Sequence, residues 1–379
     1  MTETRNFGNL IREEVCVRFI TEGVNHMKRL VIIGGGYGGI KILTGLLDQS
    51  LPEDIHITVI DRNPFRSLKT EFYTIAAGTV ADQDVRVEFP EDQRVNYVFN
   101  EIKQIDTENE QIIFDDLEME PIPYDYLVIG VGCEDNYHGV PGAEFTESVQ
   151  TFAKARHTGV AIGNLKAYGK VSIIGAGLSG IEVASEIRES RPDLNIRILD
   201  RGATVLKAFD SKIQNYVEEW FIKNDVDVIH NSAVEYVEKD GVCNNGVCYL
   251  NDVTIWTAGV QPNHLVRELP FKKDLQEKIV VNDFYQVPEK RNIYVVGDCA
   301  SSEYSPSGQL AGLQGEQIAD VLLAVLKDKE PKQPRPLKLK GTLGSLGRSD
   351  GFGNMIRTPM TGLLPRLAKT GVLWLSKRH

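Results

Sequence analysis

The sequence has no long apolar run and few cysteines. No 18 consecutive apolar residues occur, so we expect no membrane-spanning helix, and the first 26 residues lack the apolar core of a secretory signal. The 5 cysteines are odd in number and scattered, which fits a reducing cytoplasm better than a disulfide scaffold. At 379 residues, 42% of them apolar and 25% charged, the chain is long enough for two or three globular domains.

Acidic residues are nearly absent from the end of the chain. Residues 335–379 hold nine Lys and Arg against the single acid Asp350, a net charge of +8, which leaves −19 for residues 1–334. The acidic body argues against a nucleic-acid partner, and no set of metal ligands is predicted. Basic residues mixed with apolar ones are typical of contact with an anionic membrane. We therefore expect such contact through residues 360–379, with packing on the protein body as the alternative. The expected location is the cytoplasm or the cytoplasmic face of the cell membrane.

Two glycine fingerprints of the form G-x-G-x-x-G are the strongest positive signal. Each follows a short apolar strand and precedes a helix: Gly34, Gly36 and Gly39 in the first, Gly175, Gly177 and Gly180 in the second. The first glycine makes the tight turn, the second lets the backbone approach a pyrophosphate, and the third allows close packing of helix on strand. The helix N-terminus then offers unpaired N–H groups to the phosphates. Two copies predict two dinucleotides on one chain.

An acidic residue closes the strand after each fingerprint. Asp61 lies 22 residues after Gly39, and Asp200 lies 20 residues after Gly180. A carboxylate at this position binds a ribose hydroxyl. Asp200 would repel a 2′-phosphate, so we expect NADH rather than NADPH at the second site, a preference that the neighbouring Arg201 weakens.

Short buried strands alternate with helices, the pattern of an α/β fold with parallel sheets. The pattern predicts strands at 30–33, 56–61, 124–132, 171–174, 195–200, 253–259, 279–281 and 293–296, hairpin strands between Val226 and Tyr249, helices at 40–47, 181–191, 211–223 and 309–326, and a linker at 328–336. Since the first strand begins at Lys28, we predict that Met27 is the natural start and that residues 1–26 are a non-native or disordered extension.

With these motifs the chain resembles the two-dinucleotide-binding flavoprotein oxidoreductases, and within them the type II NADH dehydrogenases. The matching segments are VIIGGGYGG, YDYLVIGVG, IIGAGLSGIEVASE, TIWTAGVQPN and NIYVVGDCA, within residues 28–350. The resemblance implies two Rossmann-like domains, with the NAD domain (138–265) inserted into the FAD domain (27–137 and 266–330), followed by a C-terminal basic and apolar region (331–379). It implies an FAD-dependent, non-proton-pumping NADH dehydrogenase that passes electrons to a quinone, as a monomer or homodimer.

The resemblance also implies roles for individual residues. Gly34, Gly36 and Gly39 would hold the FAD pyrophosphate, Asp61 its ribose and Asp298 the ribityl chain, while Gly297 lets the backbone approach the flavin. Gly175, Gly177 and Gly180 would hold the NADH pyrophosphate. Glu182 matches a glutamate near the nicotinamide, although an acid in the first turn of a helix also suits the helix dipole. To the cofactor sites we further assign Tyr37, Gly38, Arg62, Gly132, Leu178, Gly259, Gln309 and Leu310, and to catalysis Glu182, Gln309 and Gln314.

The chain departs from the family at the acceptor side. Gln309 matches the first glutamine of the family's quinone-contacting segment, but Leu313 replaces the second, with Gln314 beside it. The C-terminal tail is shorter than is usual in the family. A soluble NAD(P)H:acceptor reductase serving a ferredoxin-like protein or a small molecule therefore remains an alternative, as does a flavin-binding redox sensor.

The cysteines argue against neighbouring classes of the same architecture. Residues 62–80 contain no cysteine and no C-x-x-C motif occurs, which excludes the disulfide reductases. Cys243 and Cys248 flank Asn245-Gly246, a hairpin turn signal, and we interpret them as incidental. A sulfide:quinone oxidoreductase would need a second cysteine near Cys133, and Cys299 is the candidate.

Overall fold

The computed structural model describes residues 27–355 and 358–377, and the expectation for residues 1–26 lies outside them. The strands are β1 Lys28–Ile33, β2 Ile55–Asp61, β3 Arg66–Ser67, β4 Arg86–Val87, β5 Val95–Phe99, β6 Ile102–Asp106, β7 Gln111–Phe114, β8 Ile122–Pro123, β9 Tyr126–Ile129, β10 Cys133–Asp135, β11 Glu147–Ser148, β12 Lys170–Ile174, β13 Asn195–Leu199, β14 Val226–Ile229, β15 Val234–Glu238, β16 Gly241–Asn244, β17 Val247–Leu250, β18 Val253–Trp256, β19 Val260–Pro262, β20 Gln286–Val287, β21 Lys290–Val295, β22 Gly341–Leu346, β23 Asp350–Met355 and β24 Thr358–Gly362. The helices are α1 Tyr37–Leu47, α2 Phe72–Ala76, α3 Phe152–Gly163, α4 Leu178–Ser190, α5 Ser211–Lys223, α6 His264–Arg267, α7 Gly308–Leu326 and α8 Leu363–Ser376.

The first sheet has the order β20-β21-β9-β1-β2-β5. Its strand β1 pairs in parallel with β2 on one side and β9 on the other, with Ile33 opposite Ile60 and Ile129. Strand β21 then pairs in parallel with β9. The carboxyl ends of β1, β9 and β21 are therefore neighbours, and the loops that follow them converge on one edge of the sheet.

The second sheet has the order β11-β18-β12-β13-β14. Its members all come from between β9 and β20 in the chain, so this unit is inserted into the first. The antiparallel ribbon of β10 and β19 connects the two units on the way in and on the way out. These observations confirm the predicted fold of two Rossmann-like units, one inserted in the other.

The central strands are buried on both faces. Leu30, Val31, Ile32 and Ile33 are at most 1% exposed, as are Ile173 and Ile198 of the second sheet. Each such side chain stabilises the fold by about 1.5–3 kcal/mol. Parallel strands covered by helices have no solvent-facing side, which explains their continuous apolar sequences.

The C-terminal region forms the antiparallel sheet β22-β23-β24 followed by α8. Leu346 and Phe352 of this sheet belong to the apolar core of the inserted unit. The region therefore packs on the protein body, while one face of α8 stays exposed. In the described residues, no helix is long and apolar enough to cross a membrane.

Several predicted elements need correction. The strand Val226–Ile229 is not part of a hairpin but pairs in parallel with β13, because α5 acts as a crossover connection. The apolar segment 279–281 forms no strand; Ile279 is buried and makes only isolated bridges to Lys273 and Ala300. The helices after the fingerprints begin at Tyr37 and Leu178, three residues before the predicted starts, since the last glycine of each fingerprint is already helical.

The interpretation of Cys243 and Cys248 as incidental is wrong. The predicted hairpin is present as β16 and β17, and the two cysteines lie directly opposite each other and form a disulfide. The two-residue turn Asn245-Gly246 fixes this register, because a tight hairpin turn determines which residues face each other. Asn245 has the positive φ of 51° that such a turn requires.

Candidate active site: two glycine cradles and a buried charged cluster

The first fingerprint is tightly packed at both ends and open in the middle. A Cβ on Gly34, whose φ is +94°, would lie 2.4 Å from the carbonyl oxygen of Gly130, and a Cβ on Gly39 would lie 2.0 Å from the carbonyl oxygen of Gly34. A Cβ on Gly36 would meet nothing within 4 Å. Two glycines are thus needed for packing, while the open space at Gly36 is where a ligand can approach the backbone.

The second fingerprint repeats this geometry. A Cβ on Gly175 (φ +106°) would lie 2.9 Å from the Cα of Ala258, and one on Gly180 would lie 1.9 Å from the carbonyl oxygen of Gly175. Gly177 again faces open space. The two loops have the same mechanical design, which the strand-to-helix spacing of the sequence predicts.

The helices that start at the two fingerprints have no side-chain cap. Gly36 and Gly177 are the N-cap residues of α1 and α4, whereas α3, α5 and α7 are capped by the side chains of Thr151, Asp210 and Ser307. An uncapped helix N-terminus leaves its first N–H groups and its partial positive charge for an anion. We call the fingerprint loop 34–39 the first cradle and the loop 175–180 the second cradle. Both cradles fit the pyrophosphate of a dinucleotide.

The two predicted acids hold equivalent positions beside the cradles. Asp61 Oδ2 accepts the Gly35 N–H at 2.8 Å, and Asp200 Oδ2 accepts the Ala176 N–H at 2.6 Å. Burial raises the pKa of Asp61, although backbone hydrogen bonds from Asn63 and Gly35 oppose this effect. A carboxylate has about four acceptor positions, so each acid can fix its loop and still accept a ribose hydroxyl. Arg62, predicted at the first site, lies exposed beside Asp61.

The Gly297-Asp298 turn joins the first cradle at the same edge of the sheet. Gly297 has a φ of +73°, and its N–H donates to Gln314 Oε1 at 2.8 Å. Gln314 is 2% exposed, so it supports this turn from inside the protein. Asp298 accepts a hydrogen bond from the Cys133 thiol at 2.8 Å, which brings it next to the loop that contains Gly132.

Helix α7 places the remaining residues of the first site. The Tyr37 ring packs against Gly308, where a Cβ would lie 3.0 Å from its Cδ2, and Gly38 packs against Val296. Leu310 is buried. Gln309 instead lies at the outer side, where its Oε1 accepts the Lys340 N–H at 2.9 Å. The structure thus brings all the residues predicted for the first site to one edge of the sheet, except that Gln309 is already engaged by the C-terminal segment.

Gly259 and Leu178 lie near the second cradle. A small cavity of about 30 Å³ is lined by Ser179 of the fingerprint loop, Trp256, Gly259 and Asp135, among others. Gly259 has a φ of +144°, and the imidazole of His138 covers it, because a Cβ there would lie 2.7 Å from Nε2. Leu178 is the first residue of α4 and packs against the C-terminal sheet at Gly344.

Glu182 belongs to a buried charged cluster that sequence reasoning missed. It is 6% exposed and accepts a hydrogen bond from Lys369 of α8, itself 8% exposed. The ammonium also lies 3.1 Å from the hydroxyls of Tyr73 and Ser345, and 3.6 Å from the carboxylate of Glu71. Lys369 has the apolar neighbours typical of an amphipathic helix, so its sequence context carries no sign of a buried partner.

Charge interactions in this cluster oppose the effect of burial. Burial raises the pKa of Glu182, although Lys369 and the Ser345 N–H favour its charged form. Burial also disfavours the ammonium of Lys369, but the attraction of Glu182, Tyr73 and Glu71 is larger and raises the pKa of Lys369. Burial likewise raises the pKa of Tyr73. The cluster therefore holds several exchangeable protons out of contact with bulk water.

The free cysteines of the described chain are not set up for redox chemistry. Burial raises the pKa of Cys133 to about 12, although Lys69 lies 3.3 Å from its sulfur. Burial also raises the pKa of Cys299, which donates to the Gly132 carbonyl. Burial therefore disfavours the thiolate form of both cysteines, and the thiolate is the reactive form. This argues against the sulfide:quinone alternative.

Comparison with known proteins agrees with the geometry. The chain matches the family model described as pyridine nucleotide-disulphide oxidoreductase over residues 28–317. It is 47% identical over 355 residues to the NADH dehydrogenase-like protein YutJ of Bacillus subtilis, a match that covers 93% of this chain and 99% of that protein. It is 26% identical to a type II NADH:quinone oxidoreductase of Staphylococcus aureus, covering 88% of this chain and 91% of that one.

Solved structures share the fold. NDH2 from Plasmodium falciparum in complex with NADH superposes with a TM-score of 0.79 at 16% identity, covering 92% of this chain and 94% of that chain. The sulfide:quinone oxidoreductase of Aquifex aeolicus has a TM-score of 0.77 at 20% identity, covering 92% and 90%. At these identities the likeness concerns the fold alone.

Proposed function

The chain belongs to the pyridine nucleotide-disulphide oxidoreductase family, and from that premise we propose that it is a type II NADH dehydrogenase that passes electrons from NADH through FAD to a quinone. Family membership confirms the predicted oxidoreductase class and the predicted FAD and NADH cofactors.

The observation that carries the proposal is the pair of open, uncapped glycine cradles, each with its own acid. The first cradle lies beside the Gly297-Asp298 turn, and this combination favours FAD, whose ribityl chain needs a polar partner beyond the pyrophosphate. The second cradle ends at Asp200, whose carboxylate accepts a free ribose hydroxyl and repels a 2′-phosphate. NADH therefore suits the second cradle.

Bound FAD would supply the chemistry of hydride uptake from NADH and of electron transfer to an acceptor. The chain's own residues bind the two dinucleotides and set their relative position. The buried cluster around Lys369 and Glu182 supplies proton donors at the junction of the inserted unit, the first unit and the C-terminal region. A quinone needs protons as well as electrons to become a quinol, which gives this cluster a chemical purpose.

The exposed face of α8 supports a quinone dissolved in a membrane as the acceptor. Leu363, Leu364, Leu367, Trp374 and Leu375 are each more than half exposed, on the side of α8 away from the buried Lys369. An exposed apolar face with a tryptophan next to basic residues fits insertion into the headgroup region of an anionic bilayer. We propose that α8 uses one face to hold the protein body and the other to contact the membrane.

Steady-state NADH oxidation with different acceptors tests this function. The purified protein, loaded with FAD, is assayed with a short-chain quinone, with ferricyanide and with oxygen. We expect rapid turnover with the quinone, and slower turnover with NADPH than with NADH. Turnover with ferricyanide but none with any quinone would refute the quinone acceptor.

A soluble acceptor reductase is the second candidate. Leu313 stands where the family carries its second glutamine. The neighbouring Gln314 does not take over that contact, because it is buried and its Oε1 accepts the Gly297 N–H. Sedimentation with anionic vesicles separates the two candidates. A protein that stays in the supernatant and reduces a ferredoxin-like protein faster than a quinone would favour the soluble reductase.

A further inference from the structure

Glu186 carries a buried carboxyl group to which the proposed function assigns no role. Its side chain is 3% exposed. One oxygen, Oε1, accepts a hydrogen bond from the Thr79 hydroxyl, while Oε2 is buried without a hydrogen-bond partner in the protein. A buried carboxyl oxygen without a hydrogen-bond partner lowers the stability of the fold by about 1–3 kcal/mol, unless it carries a proton or binds an ordered water.

The neighbours of Glu186 along α4 are acids on the same face. Glu182 precedes it by four residues and Glu189 follows it by three, spacings that place all three side chains in one row. The row is about 10 Å long, at 1.5 Å of rise per residue. Helix α2 and strand β22 pack over α4, so the inner part of this row is shielded from solvent.

The two ends of the row differ in their surroundings. Glu182 lies in the buried cluster with Lys369. Glu189 opens into a surface cleft of about 510 Å³, lined also by the cations Arg188, Lys223 and Arg348. Burial raises the pKa of Glu189, and the charge of Glu186 adds to this increase. The row therefore runs from a cleft that is open to the surface to the buried cluster.

The overall reaction requires a proton from solvent. NADH gives up a hydride, which is two electrons and one proton, and a quinone takes two electrons and two protons to become a quinol. The balance is NADH, one solvent proton and quinone on one side, and NAD⁺ and quinol on the other. If the buried cluster gives that proton to the quinone, the cluster must be refilled once per turnover.

We infer that Glu189, Glu186 and Glu182 form a proton relay that refills the buried cluster from the cleft. The inference rests on the proposed function, because only an acceptor that takes up protons needs it. A proton enters at Glu189 and passes to Glu186, then to Glu182 beside Lys369. No bond other than O–H bonds forms or breaks along the row. The unpartnered Oε2 of Glu186 is the position for a water that links neighbouring carboxyl groups.

The matched pair Glu186→Gln and Glu219→Gln tests the relay. Glutamine can still accept the hydrogen bond from Thr79 but cannot carry a proton. Glu219 is an exposed acid of the neighbouring α5 and serves as control. Each variant is loaded with FAD and assayed with NADH and either a short-chain quinone or ferricyanide, which takes up no protons.

Glu186→Gln should slow quinone turnover by about 100-fold or more. Ferricyanide turnover should stay within about twofold of the parent, and the melting temperature within a few degrees. The solvent isotope effect on quinone turnover should rise, which a purely structural role would not cause. Glu189→Gln should act in the same direction, while Glu219→Gln should have no effect.

Two outcomes would overturn the relay, and they can be told apart from failure of the proposed function. If the parent reduces quinone and both Glu186→Gln and Glu189→Gln match it, protons reach the acceptor by another path. If Glu186→Gln slows ferricyanide and quinone equally, the residue is structural. A parent that reduces ferricyanide and no quinone refutes the proposed function and the relay together.

Discussion

Lys369 is a buried cation whose removal tests how α8 is attached to the protein body. Its ammonium contacts Glu182, Tyr73 and Ser345 and lies 3.6 Å from Glu71. In Lys369→Met the two carboxylates lose their counter-ion while remaining buried. Removing one partner of a buried pair costs about 3–5 kcal/mol, because the other charge is left uncompensated.

This loss in free energy of unfolding corresponds to a lower melting temperature. An unfolding entropy of about 2.1 cal/mol/K per residue gives roughly 0.8 kcal/mol/K for 379 residues. Lys369→Met should therefore lower the melting temperature by about 4–6 °C. Lys377→Met, which removes an exposed lysine just after α8, is the matched control and should change it by less than about 1 °C.

Two further measurements isolate the ion pair. Adding Glu182→Gln to Lys369→Met should recover part of the loss, with a coupling energy of about 1–3 kcal/mol in a double-mutant cycle. Glu182 without its cation has a folded pKa raised further above its ordinary 4.5. The folded state of Lys369→Met therefore binds a proton on Glu182 more readily than the unfolded state does. The loss in free energy of unfolding caused by Lys369→Met should then become smaller as the pH falls towards 4.5. A loss in free energy of unfolding below about 1 kcal/mol for Lys369→Met would refute the reasoning. So would additive effects of Lys369→Met and Glu182→Gln in the double variant.

Three other changes test the cofactor assignments. Gly36→Ala should fold normally, since its Cβ meets nothing within 4 Å, but its FAD affinity in fluorescence titrations should fall by at least tenfold. Gly177→Ala should keep its FAD affinity and show a higher KM for NADH. An equal loss of FAD affinity in both variants would contradict the assignment. Asp200→Asn should raise the kcat/KM ratio of NADPH to NADH by about 10-fold or more, a change of about 1.4 kcal/mol, and an unchanged ratio would remove Asp200 from the ribose site. Cys133→Ser should retain quinone turnover, and the Cys133 thiol, with its pKa near 12, should alkylate at pH 8 far more slowly than free cysteine; loss of turnover on substitution would restore a redox role for Cys133.

The cradles were predictable because their determinants are local. A tight turn, an open backbone position and an uncapped helix start follow from three glycines between an apolar strand and a helix. The sequence predicts the helix starts three residues later than the structure has them, because glycine is a poor helix former by propensity. Tertiary packing against Gly34 and Gly175 overrides that preference.

The buried cluster was not predictable because its members are distant in sequence. Lys369 and Glu182 are separated by 187 residues, and a lysine in an amphipathic tail is usually exposed. The sequence predicts an apolar face on the C-terminal tail but leaves open whether that face packs on the protein body or contacts a membrane. The structure shows one face packed and another face exposed.

The Cys243–Cys248 disulfide shows the limit of reading spacing alone. The Asn245-Gly246 signal predicted the hairpin, and the register of that hairpin places the two cysteines opposite each other. Only the cross-strand geometry makes the bond feasible, and composition argued against it. The strand expected at 279–281 fails for a related reason, since an apolar triplet can be buried as a connecting segment without joining a sheet.

A two-step anaerobic stopped-flow experiment tests the central claim most directly. The FAD-loaded protein is first mixed with one equivalent of NADH and then with a short-chain quinone, while the flavin absorbance is followed. We predict that NADH bleaches the flavin and that the quinone restores it, with quinol formed in the amount of NADH consumed. A protein that binds no FAD, a flavin that NADH does not bleach, or a bleached flavin that quinone leaves unchanged would contradict the account.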